Sequence, residues 1–223
     1  MELKLSDHPS SFLTATLDEG EQIITEKGAF IYCEGEYSLQ NIVEANSFKN
    51  WIAKIFGGKS LTYNCYTAAS NIKLALAPKG NAEIFSIEIK DEMPVFFEPE
   101  LHFARTKGIS FQLESKSLKN TLNDGLKLKT KGSGELFLKG YGKIISQYLD
   151  TEMPIYVDEN ALIAYEGTLN VKTISKGVRQ LLLSGEGFIF SITGKGKIWL
   201  QTREKSEHSN GGGLIDGVFS FVK

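Results

Sequence analysis

Apolar and polar residues alternate in short runs along most of the 223-residue chain, and glycine-rich turns separate the runs. A period of two in such runs predicts half-buried β-strands rather than helices. Residues 184–203, SGEGFIFSITGKGKIWLQTR, show the pattern most fully and read as two strands joined by a turn at Gly194-Lys195-Gly196. Fainter copies lie upstream. Gly57-Gly58-Lys59-Ser60 leads into 61–66, Gly132-Ser133-Gly134-Glu135 into 136–138, and Gly185-Glu186-Gly187 into 188–192. Each copy continues to another strand, at 72–76, 143–148 and 197–201. A second pattern recurs in 21–32, 93–104 and 153–165, where an apolar triplet precedes an acidic turn and then a strand. Two of these copies open on the same dipeptide, Met93-Pro94 and Met153-Pro154. Repetition at this spacing predicts an all-β protein of three units, about 1–80, 81–145 and 146–203, that bury shared faces in a single compact body.

Helical periodicity is confined to short stretches. In 47–56, Phe48, Trp51, Ile52, Ile55 and Phe56 fall on one face, Asn46 or Ser47 can cap the start, and Gly57 stops it. A weaker counterpart runs over 117–123, with Leu118 and Leu122 inward. Residues 204–223 form a separate tail: a polar stretch, a hinge at Gly211-Gly212-Gly213, then an apolar stripe of Leu214, Ile215, Val218 and Phe219 at helical spacing. That stripe is the candidate interaction tail, a short helix expected to pack on the core or on a neighbouring subunit.

Composition narrows the class. Hydrophobic residues make up 41%, and no run approaches the roughly 18 apolar residues of a spanning helix. The opening MELKLSDHPSSF has the features of neither a signal nor a transit sequence, so a cytoplasmic location is expected. Cys33 and Cys65 lie in apolar runs outside any CxxC and are expected to be buried, reduced thiols. The net charge of −2 is uneven: residues 1–100 carry 8 Lys/Arg against 15 Asp/Glu, and residues 101–223 carry 17 against 12. Such asymmetry can help subunits meet head to tail.

Residues that could carry chemistry resolve mostly into structural roles. Residues 53–60, AKIFGGKS, resemble a relaxed phosphate loop, but the order here is helix, loop, strand, the reverse of what aims backbone N–H groups at phosphate. His8, His102 and His208 have no metal-ligand spacing; His102, between Leu101 and Phe103, is expected to face solvent or fill a polar niche. The acidic pairs Asp91-Glu92, Asp150 with Glu152, and Asp158-Glu159 read as turn formers. No GxSxG and no paired Cys and His point to a nucleophile. The expectation is a non-catalytic protein without cofactor or metal.

One surface stands out. Seven lysines (116, 119, 127, 129, 131, 139 and 143) face only Asp124 and Glu135 within 116–143. Lys127, Lys129 and Lys131 alternate with Leu128 and Thr130, so one strand face carries three cations, a candidate polyanion surface. The plainer reading is a solvated strand whose lysines discourage aggregation. Aromatic residues for base stacking are sparse beside the row in sequence.

The ending GEGFIFSITGKGKIWLQTR, together with the glycine-bounded 56–61 and the opening Leu17-Asp18-Glu19-Gly20-Glu21, resembles the altered-inheritance-of-mitochondria (Aim-type) family, of unknown biochemical function. The resemblance implies a triplicated β-sandwich similar to the tryptophan RNA-binding attenuator protein and grouped with double-stranded β-helices. It also implies assembly into a homo-oligomeric ring, with a trimer favoured. It implies no catalytic residue, and fold kinship alone does not confer RNA binding. An oligomeric scaffold with an unknown protein partner is therefore the first expectation, and an RNA- or small-ligand-binding ring the alternative.

Overall fold

A computed structural model describes residues 1–6, 9–43, 62–114, 127–174 and 189–204. The expected helices at 47–56 and 117–123, with Trp51, lie outside the described residues, as do the phosphate-loop-like stretch, His8, His208 and the tail residues Leu214, Ile215, Val218 and Phe219. Among the described residues the fold is all-β, in three antiparallel sheets, with two single 3-10 turns.

In chain order the strands are β1 (Glu2–Leu5), β2 (Leu13–Leu17), β3 (Gln22–Thr25), β4 (Phe30–Glu34), β5 (Tyr37–Val43), β6 (Thr62–Ala68), β7 (Ile72–Leu76) and β8 (Ala82–Ile89). There follow β9 (Val95–Phe97), β10 (His102–Thr106), β11 (Ile109–Leu113), β12 (Leu128–Gly132), β13 (Gly134–Tyr141), β14 (Ile144–Asp158), β15 (Leu162–Ile174) and β16 (Ile189–Gln201). The first sheet is β1-β2-β7-β4, the second β5-β6-β3-β10-β13-β8, and the third β11-β12-β9-β15-β16-β14. Two of these pairings cross the expected unit borders: β3 with β10, and β9 with β15. The acidic turns of the second and third copies are the 3-10 turns Pro99–Leu101 and Glu159–Ala161; Asp158 caps the latter by accepting from the Asn160 N–H at 2.8 Å.

Three cores hold the sheets together. Leu13, Leu17, Leu74 and Leu76 of the first sheet meet Ile23, Tyr66, Phe103 and Phe137 of the second. The opposite face of the second sheet, through Tyr63, Cys65, Leu136 and Leu138, meets Phe97, Phe111, Leu128 and Trp199 of the third. A third core, with Leu149, Val157, Phe190, Ile192 and Ile198, lies within the third sheet, on the long strands β14 and β16. Each fully buried side chain of this size contributes about 1.5–3 kcal/mol of transfer free energy.

Two local expectations are corrected. Gly194-Lys195-Gly196 is not a turn: β16 runs through it without a break, paired to β14 on one side and β15 on the other. The glycines serve close approach instead. A Cβ at Gly196 would land on the Glu166 carbonyl oxygen, one at Gly194 on that of Thr168, and Gly194 holds φ +106°. Likewise Asp150 and Glu152 lie within β14 rather than at a turn. The ladder shifts register between Thr151 and Ile155, where a bulge on this edge strand accommodates Pro154. Both cysteines are free; Cys65 is buried, whereas Cys33 is only half-buried.

Candidate binding surfaces

The strand β12 pairs with β11 on one side and β9 on the other, and its pleat sends Leu128 and Thr130 inward. Lys127, Lys129 and Lys131 therefore share the outer face. Their surroundings are aromatic. The Lys127 ammonium lies 5.0 Å from the Tyr165 ring centroid and 4.6 Å from that of Phe190, and Lys129 lies 5.8 Å from Phe96. Phe96 and Tyr165 stack at 5.0 Å. Sequence proximity missed these rings because they come from β9, β15 and β16. Glu98, which feels the Lys127 charge, is pushed up from the usual carboxylate range by burial, an effect that this charge opposes. Of the wider lysine run, Lys139 is on the second sheet, held by Glu26 at 2.6 Å, and Lys143 follows β13. Lys116 and Lys119 are outside the described residues. The row thus reduces to three cations, two of them lying over aromatic faces.

A second polar group is buried between the second and third sheets. His102 is 1% exposed and Arg105 2%, so His102 does not face solvent. A register shift between His102 and Ala104 turns both side chains to the same side of β10, while Phe103 and Ala104 enter the opposite core. The Arg105 guanidinium donates from Nε to the Ile109 carbonyl at 3.1 Å and from Nη1 to His102 Nε2 at 3.3 Å. It lies 4.2 Å from the Phe111 centroid and 4.8 Å from that of Tyr63. Since Nε2 accepts, the imidazole proton sits on Nδ1, which has no hydrogen-bond partner among the described residues.

Burial first, then the Arg105 charge, holds His102 well below its ordinary 6.5, so it is neutral in the fold. The unfolded imidazole gains a proton as pH falls through about 6.5, and the folded one does not. Stability should drop in that window by up to about 1.4 kcal/mol per pH unit. Glu98, Glu135 and Glu166, all raised chiefly by burial, act in the opposite sense above about pH 4.5. Urea unfolding of wild type and His102→Gln isolates the imidazole: the variant should lose this component of the slope, and identical slopes would mean that His102 titrates normally.

A cleft of about 560 Å³ opens elsewhere, lined by Ser10, Ser11, Pro78, Glu83, Tyr141 and Arg203 among others. Its Glu83 carboxylate accepts from the Ser10 N–H at 2.9 Å, the Ser11 N–H at 3.0 Å and Ser11 Oγ at 2.9 Å, which spends it on holding the β1–β2 loop. Among the described residues there is no group of three or more His, Cys, Asp or Glu placed to hold a metal ion. No described helix is long and apolar enough to cross a membrane.

A family model described as mitochondrial biogenesis AIM24 matches residues 3–203. The chain belongs to the AIM24 family. The fold is similar to the X-ray crystal structure of protein SPYM3_0169 from Streptococcus pyogenes, with TM-score 0.72 and 19% sequence identity over 91% of this chain and 94% of that one. At that identity the likeness shows the fold alone. No curated protein matches the chain.

In this AIM24-family chain the Trp-Leu-Gln-Thr ending is structural. Trp199 lies in the core between the second and third sheets. Gln201 accepts from the Tyr141 N–H at 3.0 Å and donates to the Asn160 carbonyl at 2.6 Å, and Thr202 accepts from the Lys143 N–H at 2.9 Å. Gln201, the last residue of β16, and Thr202 after it thereby fasten β13, the β13–β14 turn and the second 3-10 turn.

Proposed function

We propose that this AIM24-family chain is a non-catalytic cytoplasmic scaffold or interaction protein, working as a homo-oligomer, with a trimer favoured, and holding an unknown protein partner without a cofactor. One observation carries the reading. Large apolar side chains are exposed together along β4 and β5 (Phe30, Ile31, Tyr32, Tyr37, Leu39, Val43) and along β14 (Ile145, Tyr148, Met153, Tyr156). Grouped exposure of this kind, on strands at sheet edges, marks protein contact surfaces. Native mass spectrometry of gently purified protein, with its absorbance ratio checked for nucleic acid, tests it. A bare oligomer is expected, and a monomer would remove the reading.

The second reading, an RNA- or small-ligand-binding ring, draws on the Lys127, Lys129 and Lys131 face and its Phe96–Tyr165 stack. Two features weigh against it. The lysine ammonium groups themselves lie over the ring faces that bases would need, and the row holds only three cations. Replacing the three lysines with Glu should leave the oligomer mass unchanged on the scaffold reading. If the chain is a binder, the same variant loses salt-sensitive RNA affinity that wild type displays in a filter or anisotropy assay.

A further inference from the structure

We infer that copies of this chain dock head to tail, with the edge of β5 that is unpaired among the described residues in one copy pairing to the likewise unpaired edge of the first half of β14 in the next. The inference rests on the oligomeric reading above and supplies its contact. Each sheet has two edge strands, and most are blunted. β1 is four residues long with Glu2 and Lys4, β8 carries Glu83 and Glu88, β4 is broken by a register shift and ends at Glu34, and the exposed side chains of β11 are only Ser110 and Gln112. Charge, brevity and irregularity keep edges from pairing, and β11, which has no charge or irregularity, differs from the remaining two in exposing no large apolar side chain.

β5, YSLQNIV, and the start of β14, IISQYL, have none of them. Both are regular, uncharged over six or seven residues and paired on one side only among the described residues. Each also exposes large apolar side chains, Leu39 and Val43 on the one and Ile145 and Tyr148 on the other. A row of unpaired N–H and C=O groups is best satisfied by another strand edge, and the chain itself supplies two that match in length and character.

The two edges lie at opposite ends of the body. Beside β5, Tyr63 of β6 meets Phe111 of β11 edge-on at 6.3 Å, whereas Gly140 of β13 lies against Ile144 of β14. One copy therefore cannot join its own edges, and the contact uses different surfaces on the two partners. Contacts of that type close into rings or extend into filaments. Charge agrees: β5 belongs to the acidic first 100 residues and β14 to the basic remainder, so unlike halves meet in such a contact.

The test uses two variants of the full chain, Leu39→Lys/Val43→Lys to block β5 and Ile145→Lys/Tyr148→Lys to block β14. All four sites are exposed, and circular dichroism with thermal melting checks that both variants fold. Each variant alone is expected to be monomeric at a concentration where wild type is oligomeric. Mixed one to one, they should form a dimer and nothing larger, since each contributes one intact edge of the opposite kind. Wild-type mass retained by either variant, or no dimer on mixing, overturns the edge pairing while leaving the oligomeric reading in place. A monomeric wild type overturns both, and a mass fitting wild type plus a different polypeptide assigns the edges to an outside partner.

Discussion

Phe97→Ala should lower the unfolding free energy by about 3–5 kcal/mol, the cost of emptying a large aromatic site in a packed interior. Phe97 is 1% exposed and meets Phe111 edge-on at 5.2 Å between the second and third sheets. Its strand, β9, is only three residues long, yet it joins β12 to β15, so the side chain sits where the second expected unit meets the third. The site has little room to collapse, because Val95 and Leu128 beside it are themselves fully buried. Chemical denaturation of this variant and of Phe96→Ala, on the outer face of the same strand, would separate core loss from strand propensity. A loss at Phe97 no greater than at Phe96 would mean that the two sheets are not packed through this seam.

Gly196→Ala should cost about 3 kcal/mol, at the high end for overpacking. The added Cβ meets the Glu166 carbonyl oxygen, which belongs to the backbone and cannot swing aside, and the Leu169 side chain at 2.9 Å. Relief requires β15 and β16 to separate where Gly167 and Gly196 face each other. Facing them, Gly167 stands at φ +93° with the Lys195 carbonyl 2.6 Å from where its own Cβ would be, so the glycines act as a set. Lys195→Ala, between the two glycines and exposed, serves as the control and should leave the melting temperature nearly unchanged. Equal melting temperatures for the two variants would show that the strands part without cost.

These positions also show what could be read along the chain. Apolar runs bounded by glycine turns located β6 and β13, which are buried on both faces, and β7 shows alternation at its start, where Lys73 is exposed between buried Ile72 and Leu74. The Gly194-Lys195-Gly196 segment misled, since a glycine pair between two apolar runs has the composition of a hairpin turn. Only the pairing of both flanks with β15 and β14 shows that it lies inside one long strand. His102 and Arg105 were illegible for another reason. β10 lies between β3 and β13 with other sheets over both of its faces, so polar residues on it are buried wherever they fall. The row of Lys127, Lys129 and Lys131 was legible from alternation within β12. The rings beneath two of its lysines were not, since Phe96, Tyr165 and Phe190 are brought there by pairings across as many as 63 positions.

The strand pairs that bridge the units set an order on synthesis. When the first 80 residues have left the ribosome, β3 has its partner β6 on one side only, and the other side waits for β10, which begins at His102. The second sheet then stays incomplete until β13 ends at Tyr141, and the third until β16 has been made. Growing chains of neighbouring ribosomes thus present the same open edge to one another for much of translation. Slowing elongation between codons 80 and 140 should therefore favour exchange of β3–β10 partners between nascent chains, and truncation within that interval should yield aggregates rather than a smaller folded protein.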